Sequence, residues 1–113
     1  VERSAVADCP SLRRVIMPGV EVVEDSVFYE CDALTDVECG KLERIEDYAF
    51  EGCDSLGRIN LPSAKIVERE AFHNCKALTD VKCDKLEIIK LSAFGDCTSL
   101  GSIDLPSARI VEE

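Results

Sequence analysis

A strict period of 22 residues constrains this chain more than any other feature of its sequence. Cysteine recurs without insertion or deletion at positions 9, 31, 53, 75 and 97, and a leucine follows each one three positions later. A single unit of this length buries too little apolar surface to offset the entropy of ordering its own backbone. Stacked units bury their flat sides against one another. The sequence therefore predicts a solenoid.

The apolar positions within each period predict the local structure. In the second period, Leu34, Val37 and Cys39 begin a segment in which apolar and polar residues alternate, which is typical of a half-buried strand. A β-branched segment around Ile45 predicts a second short strand. The period closes with an Ala-Phe pair, which we interpret as a tight helical or 3₁₀ turn whose phenylalanine enters the core. Strands stacked in the same direction form a parallel sheet.

The motif A-F-x-x-C-x-x-L followed by V/I-x-L-P, at residues 49–62, resembles the BspA-like subclass of leucine-rich repeats. Val6 departs from it in place of the phenylalanine, and Cys39 and Cys83 replace the strand-end leucine. The resemblance implies a leucine-rich repeat solenoid. In this fold a parallel β-sheet lies on the concave side, and short strands, turns or 3₁₀ segments lie on the convex side. We expect residues 1–113 to form a single leucine-rich repeat domain of about five repeats, as a fragment of a longer array.

The resemblance also implies a function. Proteins of this subclass occur on microbial surfaces and act in adhesion or protein binding, and the subclass implies no catalytic residues. A cell-surface or secreted location is suggested by the resemblance alone. The residues themselves leave the compartment and the identity of a protein partner unknown.

A second period of 44 residues lies on top of the first. It appears in the prolines at positions 18, 62 and 106 and in the pair Cys39 and Cys83. One type of repeat places Cys39 before Leu42, whereas the other places Leu61 before Ala64. Small and large side chains have exchanged positions, which keeps the core volume nearly constant.

The charge balance excludes some classes of partner. The chain has 13 basic and 23 acidic residues, for a net charge of −10. A nucleic acid or an anionic membrane would therefore be repelled. No apolar run reaches the roughly 18 residues that a membrane helix needs, so we expect no membrane insertion.

Seven cysteines raise the alternatives of a disulfide ladder, a metal site or a redox centre. Zinc sites use cysteines a few residues apart, and His73 has no paired ligand at helical spacing. Stacked residues lie about 4.8 Å apart, whereas bridged Cβ atoms lie about 3.8 Å apart. We interpret the cysteines as small buried hydrophobes, and we predict no metal, no cofactor and no catalytic residues. The expected class is a protein without enzyme activity.

The candidate binding residues flank the central valine or isoleucine of each first strand, where side chains point away from the core. They are Arg14, Ile16, Asp36, Glu38, Arg58, Asn60, Asp80, Lys82 and Asp104. The residues just before the central position, Arg14, Asp36, Arg58 and Asp80, alternate in charge, so neighbouring strands present opposite charges. This ladder either keeps the strands in register or contacts a partner, and the sequence leaves both interpretations open.

An acidic stripe follows the second strands. It contains Glu24, Glu46 and Glu68 beside Asp25 and Asp47. We favour a solvated flank over a weak cation site, because calcium needs about six to eight converging oxygens.

Two functional classes remain. The first is a recognition module of an adhesin or receptor that binds a protein through its exposed sheet. The alternative is a structural segment that self-associates through its uncapped ends, because the sequence starts and stops at the same phase of the period. Apolar residues at these ends, including Val6, Cys9, Leu100 and Ile103, would then meet between molecules, and Ile103→Lys would weaken the contact.

Overall fold

The computed structural model describes residues 6–90 and 92–100 and the backbone of Ile110–Val111. Each of the first four turns of the chain contributes two short strands, and the described residues contain no helix. No helix that could cross a membrane was found in this part of the chain. The strands are β1 (Arg14–Ile16), β2 (Val22–Val23), β3 (Asp36–Glu38), β4 (Arg44–Ile45), β5 (Arg58–Asn60), β6 (Ile66–Val67), β7 (Asp80–Lys82), β8 (Ile88–Ile89) and β9 (Ile110–Val111).

The strand register follows the sequence period. Val15 pairs with Val37, and Val23 pairs with Ile45, each 22 residues further along the chain in a parallel strand. The predicted parallel solenoid is therefore confirmed. The second strands that the β-branched segments predict are also present, and they form a five-stranded sheet in the order β2-β4-β6-β8-β9, which we call the second sheet.

The first strands are parallel but do not form one continuous sheet. β1 pairs with β3 and β5 pairs with β7, with a break between β3 and β5. At the break the hydroxyl of Ser63 donates a hydrogen bond to the carbonyl of Gly40, at 2.8 Å. At the paired boundaries Thr35 and Thr79 instead donate to carbonyls of the preceding turn, at 3.2 and 3.1 Å. The 44-residue period of the sequence thus appears as two alternating kinds of contact between turns.

The core contains a column of stacked phenylalanines. Neighbouring rings in the series Phe28, Phe50, Phe72 and Phe94 lie 5.1, 5.1 and 5.2 Å apart between centroids. Phe50 and Phe72 are completely buried. The prediction that the phenylalanine of each period enters the core is confirmed for these residues.

The segments that present these phenylalanines are turns, and the predicted helical or 3₁₀ turn is wrong. The amide of Ala49 donates to the carbonyl of Glu46, and the amide of Cys53 donates to that of Phe50, at 3.1 and 3.3 Å. The third residue of each turn has a positive φ, 62° at Tyr48 and 75° at Gly52. This geometry is that of type II turns. It recurs at equivalent positions along the chain, mostly in residues other than glycine: Asp8, Ser26, Glu30, Glu70, Asn74, Ser92 and Asp96.

All seven cysteines are free and six of them are buried, with Cys9 partly exposed. Their interpretation as small core residues is confirmed for the six, but they also donate hydrogen bonds. Four thiols of the 22-residue column point to carbonyls of the preceding turn: Cys31 to Val6, Cys53 to Phe28, Cys75 to Phe50 and Cys97 to Phe72, at 3.1 to 3.3 Å. The thiol column therefore links consecutive turns of the solenoid.

Candidate functional site

The outward side chains of β1, β3, β5 and β7 form one surface, which we call the first face. The central residues of these strands, such as Val37, Ile59 and Val81, are buried, and their neighbours point outward. Eight predicted binding residues lie on this face: Arg14, Ile16, Asp36, Glu38, Arg58, Asn60, Asp80 and Lys82. Asp104 lies outside the described residues. That any of them binds a partner stays a prediction.

The predicted charge pairs form within each two-stranded sheet. Arg14 contacts Asp36 at 3.1 Å and Glu38 at 2.6 Å, whereas Arg58 lies 4.0 Å from Asp80. Asp36 and Arg58 occupy equivalent positions on the two sides of the break and form no ion pair. All these groups are well exposed, so the pairs contribute little to stability. The two arginines differ in their ion pairs. Arg14 contacts two carboxylates, whereas Arg58 has a single, longer contact with one.

A shallow depression of about 220 Å³ lies on the first face between β5 and β7. Arg58, Ile59, Asn60, Asp80 and Lys82 line it. The side chain of Arg58 is 81% exposed, so its guanidinium can still donate to a partner. Ile16, an apolar residue of the same face, is 58% exposed. The first face therefore combines basic groups, a carboxylate, an amide and apolar surface that can each contact a protein ligand.

The acidic stripe beside the second sheet is partly neutralised by arginines that the sequence analysis did not assign to it. Arg44 contacts Glu46 at 2.8 Å and Glu68 at 2.9 Å. Arg69 contributes a contact of 3.7 Å to Asp47. Three of the five carboxylates thus pair with guanidinium groups instead of converging on one point, which supports the interpretation as a solvated flank.

A second polar cluster surrounds His73 in the turn between β6 and β7. Its Nδ1 lies 3.2 Å from Glu51 Oε1 and 4.0 Å from Glu70 Oε1, and its Nε2 lies 3.1 Å from Asp96 Oδ2. The expectation that His73 has no paired ligand at helical spacing is wrong, because Glu70 lies three residues before it. Glu51 precedes His73 by one full period of the solenoid. The period itself could have predicted this contact.

The chemistry of this cluster differs from that of a nucleophilic enzyme site. The hydrogen bonds and ion pairs of the His73 imidazole are with carboxylates, and none joins it to a serine or cysteine among the described residues, as activation of a nucleophile would require. Burial raises the pKa of Glu51, while its hydrogen bond to His73 acts in the opposite direction. The arrangement can hold a proton or a cation.

Comparison with known proteins places this geometry in context. The family described as "BspA type Leucine rich repeat region" matches residues 1–112 in six copies. The structure of a leucine-rich cell surface protein from Faecalibacterium prausnitzii superposes with a TM-score of 0.87 at 29% identity, over 96% of this chain and 30% of that one.

A leucine-rich repeat protein from Bacteroides ovatus shares the fold, with a TM-score of 0.57 at 18% identity. The match covers 100% of this chain and 43% of the Bacteroides ovatus protein. The chain thus spans less than half the length of either protein. It matches no sequence among the curated proteins.

Proposed function

Because the chain belongs to the BspA-type leucine-rich repeat family, we propose that it is a protein-binding module whose first face contacts the partner. The observation that carries this proposal is the exposure of Arg58, Asn60 and Lys82 around the depression between β5 and β7. A cell-surface role is part of the proposal. It is supported by the similarity of this chain, over 96% of its length, to a leucine-rich cell surface protein of Faecalibacterium prausnitzii.

The proposed partner presents an acidic or mixed-charge segment. Arg14, Arg58 and Lys82 are the basic groups among the predicted binding residues, and the chain as a whole is acidic with a net charge of −10. Such local cations steer complementary ligands and select among them more than they raise affinity. Apolar contact with Ile16 would supply the desolvated part of the interface. The proposed role is recognition without catalysis.

We expect Arg58→Glu to weaken binding of peptides selected from a displayed library against this chain by at least tenfold. The substitution replaces an exposed donor at the rim of the depression by a repulsive charge. Affinity for the selected peptides should be measured by fluorescence polarisation at two salt concentrations. The wild-type affinity should fall as salt rises, and the variant should depend on salt less.

Lys65→Glu is the matched control, because Lys65 is also exposed but precedes β6 of the second sheet. It makes the same change in net charge away from the first face. Equal losses in both variants would assign the effect to net charge alone, and unchanged binding by Arg58→Glu would move the site off the first face.

Self-association is the second candidate function. Leu12, Val15 and Val20 in the first turn are only partly buried, whereas their equivalents one period later are fully or almost fully buried. β1 and β2 are also edge strands within the described sheets, and such edges pair readily with other strands. Of the residues named for the opposite end, Leu100 is partly buried and Ile103 lies outside the described residues, so Ile103→Lys stays a prediction.

We expect the weight-average mass of the 113-residue chain to rise with concentration in sedimentation velocity. Val20→Lys should reduce this rise, because it places a charge on the partly exposed apolar end. Ile66→Lys, at a partly exposed position of the interior strand β6, serves as the control, and circular dichroism checks that both variants fold. A constant monomer mass up to millimolar protein would rule out this candidate.

A further inference from the structure

We propose that His73, Glu51 and Glu70 form a binding site for a divalent transition-metal ion such as Zn²⁺, and that Asp96 orients the imidazole for it. The three ligand side chains offer one nitrogen and two carboxylate oxygens. This inference concerns the turn segments that follow the second sheet and is independent of protein binding at the first face.

The spacing of the ligand atoms fits a metal centre. His73 Nδ1, a Glu51 oxygen and a Glu70 oxygen all lie within 4.8 Å of one another. A metal bound at about 2.0 to 2.2 Å from nitrogen and oxygen holds neighbouring ligand atoms roughly 3 to 3.5 Å apart at tetrahedral angles. The distance of 3.2 Å from Nδ1 to Glu51 already matches, and the 4.0 Å distance to Glu70 needs a small side-chain rotation.

Asp96 can hold the imidazole in the state that a metal needs. Its Oδ2 lies 3.1 Å from Nε2, and Nδ1 lies at a similar distance, 3.2 Å, from Glu51, so the contacts permit a proton on either nitrogen. With the proton on Nε2 and donated to Asp96, the lone pair of Nδ1 is directed to Glu51 and Glu70. A carboxylate that accepts the second ring N–H is the usual outer partner of a metal-bound histidine. Gly95 leaves room for the ring, because a Cβ there would lie 2.9 Å from His73 Cδ2.

A protonated imidazole would satisfy this cluster less completely than a metal. An Nδ1–H directed at Glu51 would leave Glu70 at 4.0 Å, beyond hydrogen-bond distance. The side chains of Glu51, Glu70 and His73 are only 13, 28 and 21% exposed, so two carboxylates converge where water screens them poorly. A dication bound between them relieves this repulsion and remains accessible from solvent.

The ligand set selects the kind of metal. Imidazole nitrogen favours zinc and its transition-metal neighbours, whereas calcium and magnesium prefer sets made of oxygen alone. Three protein ligands leave a fourth position for water. Because Glu51, His73 and Asp96 come from three successive turns, a bound metal would join those turns and stabilise the stack.

The test is titration of the full, reduced chain with Zn²⁺ by calorimetry, together with thermal unfolding in Zn²⁺ and in Mg²⁺. We expect one site, a higher Tm with Zn²⁺ only, and at least a tenfold loss of affinity in His73→Gln and in Glu51→Gln. Asp96→Asn should weaken binding about 10- to 100-fold. Glu43→Gln is the control and should leave the affinity unchanged, because Glu43 is an exposed residue directly before β4.

The cysteine thiols are the competing ligands. The absorption spectrum of the Co²⁺-loaded chain distinguishes metal bound to thiols from metal bound at the His73 site. Cobalt bound to histidine and carboxylate lacks the sulfur-to-metal charge-transfer band that cobalt thiolates show. A strong band of that kind, unaltered Zn²⁺ affinity in His73→Gln, or no binding by the folded wild-type chain would each overturn the proposal. If His73→Gln unfolds, Glu70→Gln gives the same test, because Glu70 is the most exposed of the three ligands.

Discussion

Phe72→Ala is expected to lower the free energy of unfolding by about 3 to 5 kcal/mol. Phe72 is completely buried and is stacked on both sides, by Phe50 at 5.1 Å and by Phe94 at 5.2 Å. Alanine would remove the ring and leave a cavity that the rigid stack of turns can fill only by shifting two neighbours. Urea denaturation followed by circular dichroism measures the loss from the midpoint and slope.

The matched control for this prediction is Phe94→Ala. Phe94 is only partly buried, so its removal should cost less than that of Phe72. A loss below about 1 kcal/mol for Phe72→Ala, well under the range for a buried aromatic, would mean that the ring is exposed in solution. If Phe72→Ala does not fold, Phe72→Leu preserves most of the volume and gives the same ranking.

The second large effect is protection of the thiols. We expect the buried cysteines to react with a thiol reagent at least about a thousandfold more slowly in the folded chain than in urea, since exposing them requires unfolding that costs about 5 kcal/mol or more. Cys53 and Cys75 are completely buried. Burial raises the pKa of Cys39 to about 11, and the pKa of Cys53 is raised for the same reason. The reactive thiolate is therefore scarce as well as inaccessible.

The order of labelling provides the internal control. Cys9 is only partly buried and should react first. Cys97 should follow, because its side chain is slightly more exposed than the completely buried Cys53 and Cys75. Rapid labelling of several thiols in the folded chain would contradict the buried column. Thiols that stay unreactive in urea without reductant would instead reveal disulfides.

The sequence by itself determined the architecture. The cysteine and leucine columns, the alternation around Val37 and the β-branched segment at Ile45 predicted a parallel solenoid with two strands per turn. The structure has both strands, with a register of one period. This prediction succeeded because burial of apolar side chains is the dominant stabilising term and its period is directly visible in the sequence.

Backbone conformation in the turns was harder to predict. Of the described residues with positive φ, Gly52 has the usual signal for that conformation, whereas Tyr48 and Glu70 do not. Their left-handed conformation is maintained by hydrogen bonds to neighbouring turns, such as the one from the amide of Phe50 to the carbonyl of Ala71. Residue type alone pointed to a helical turn. That prediction failed because contacts between turns override the local preference of the backbone.

The polar sites depended most on tertiary structure. The period places Glu51 one turn before His73, but only the side-chain positions bring Glu70 and Asp96 to the same imidazole. The sequence likewise placed Arg14 and Arg58 at equivalent positions with Glu38 near one and Lys82 near the other, but only the side-chain positions show that Arg14 contacts Glu38 at 2.6 Å. Burial of apolar side chains is nondirectional, so it follows from the residue type at each position of the period. Charge pairs and metal-ligand sets depend on angles and on distances of a few ångströms. Only the packing of the turns against one another determines those angles and distances.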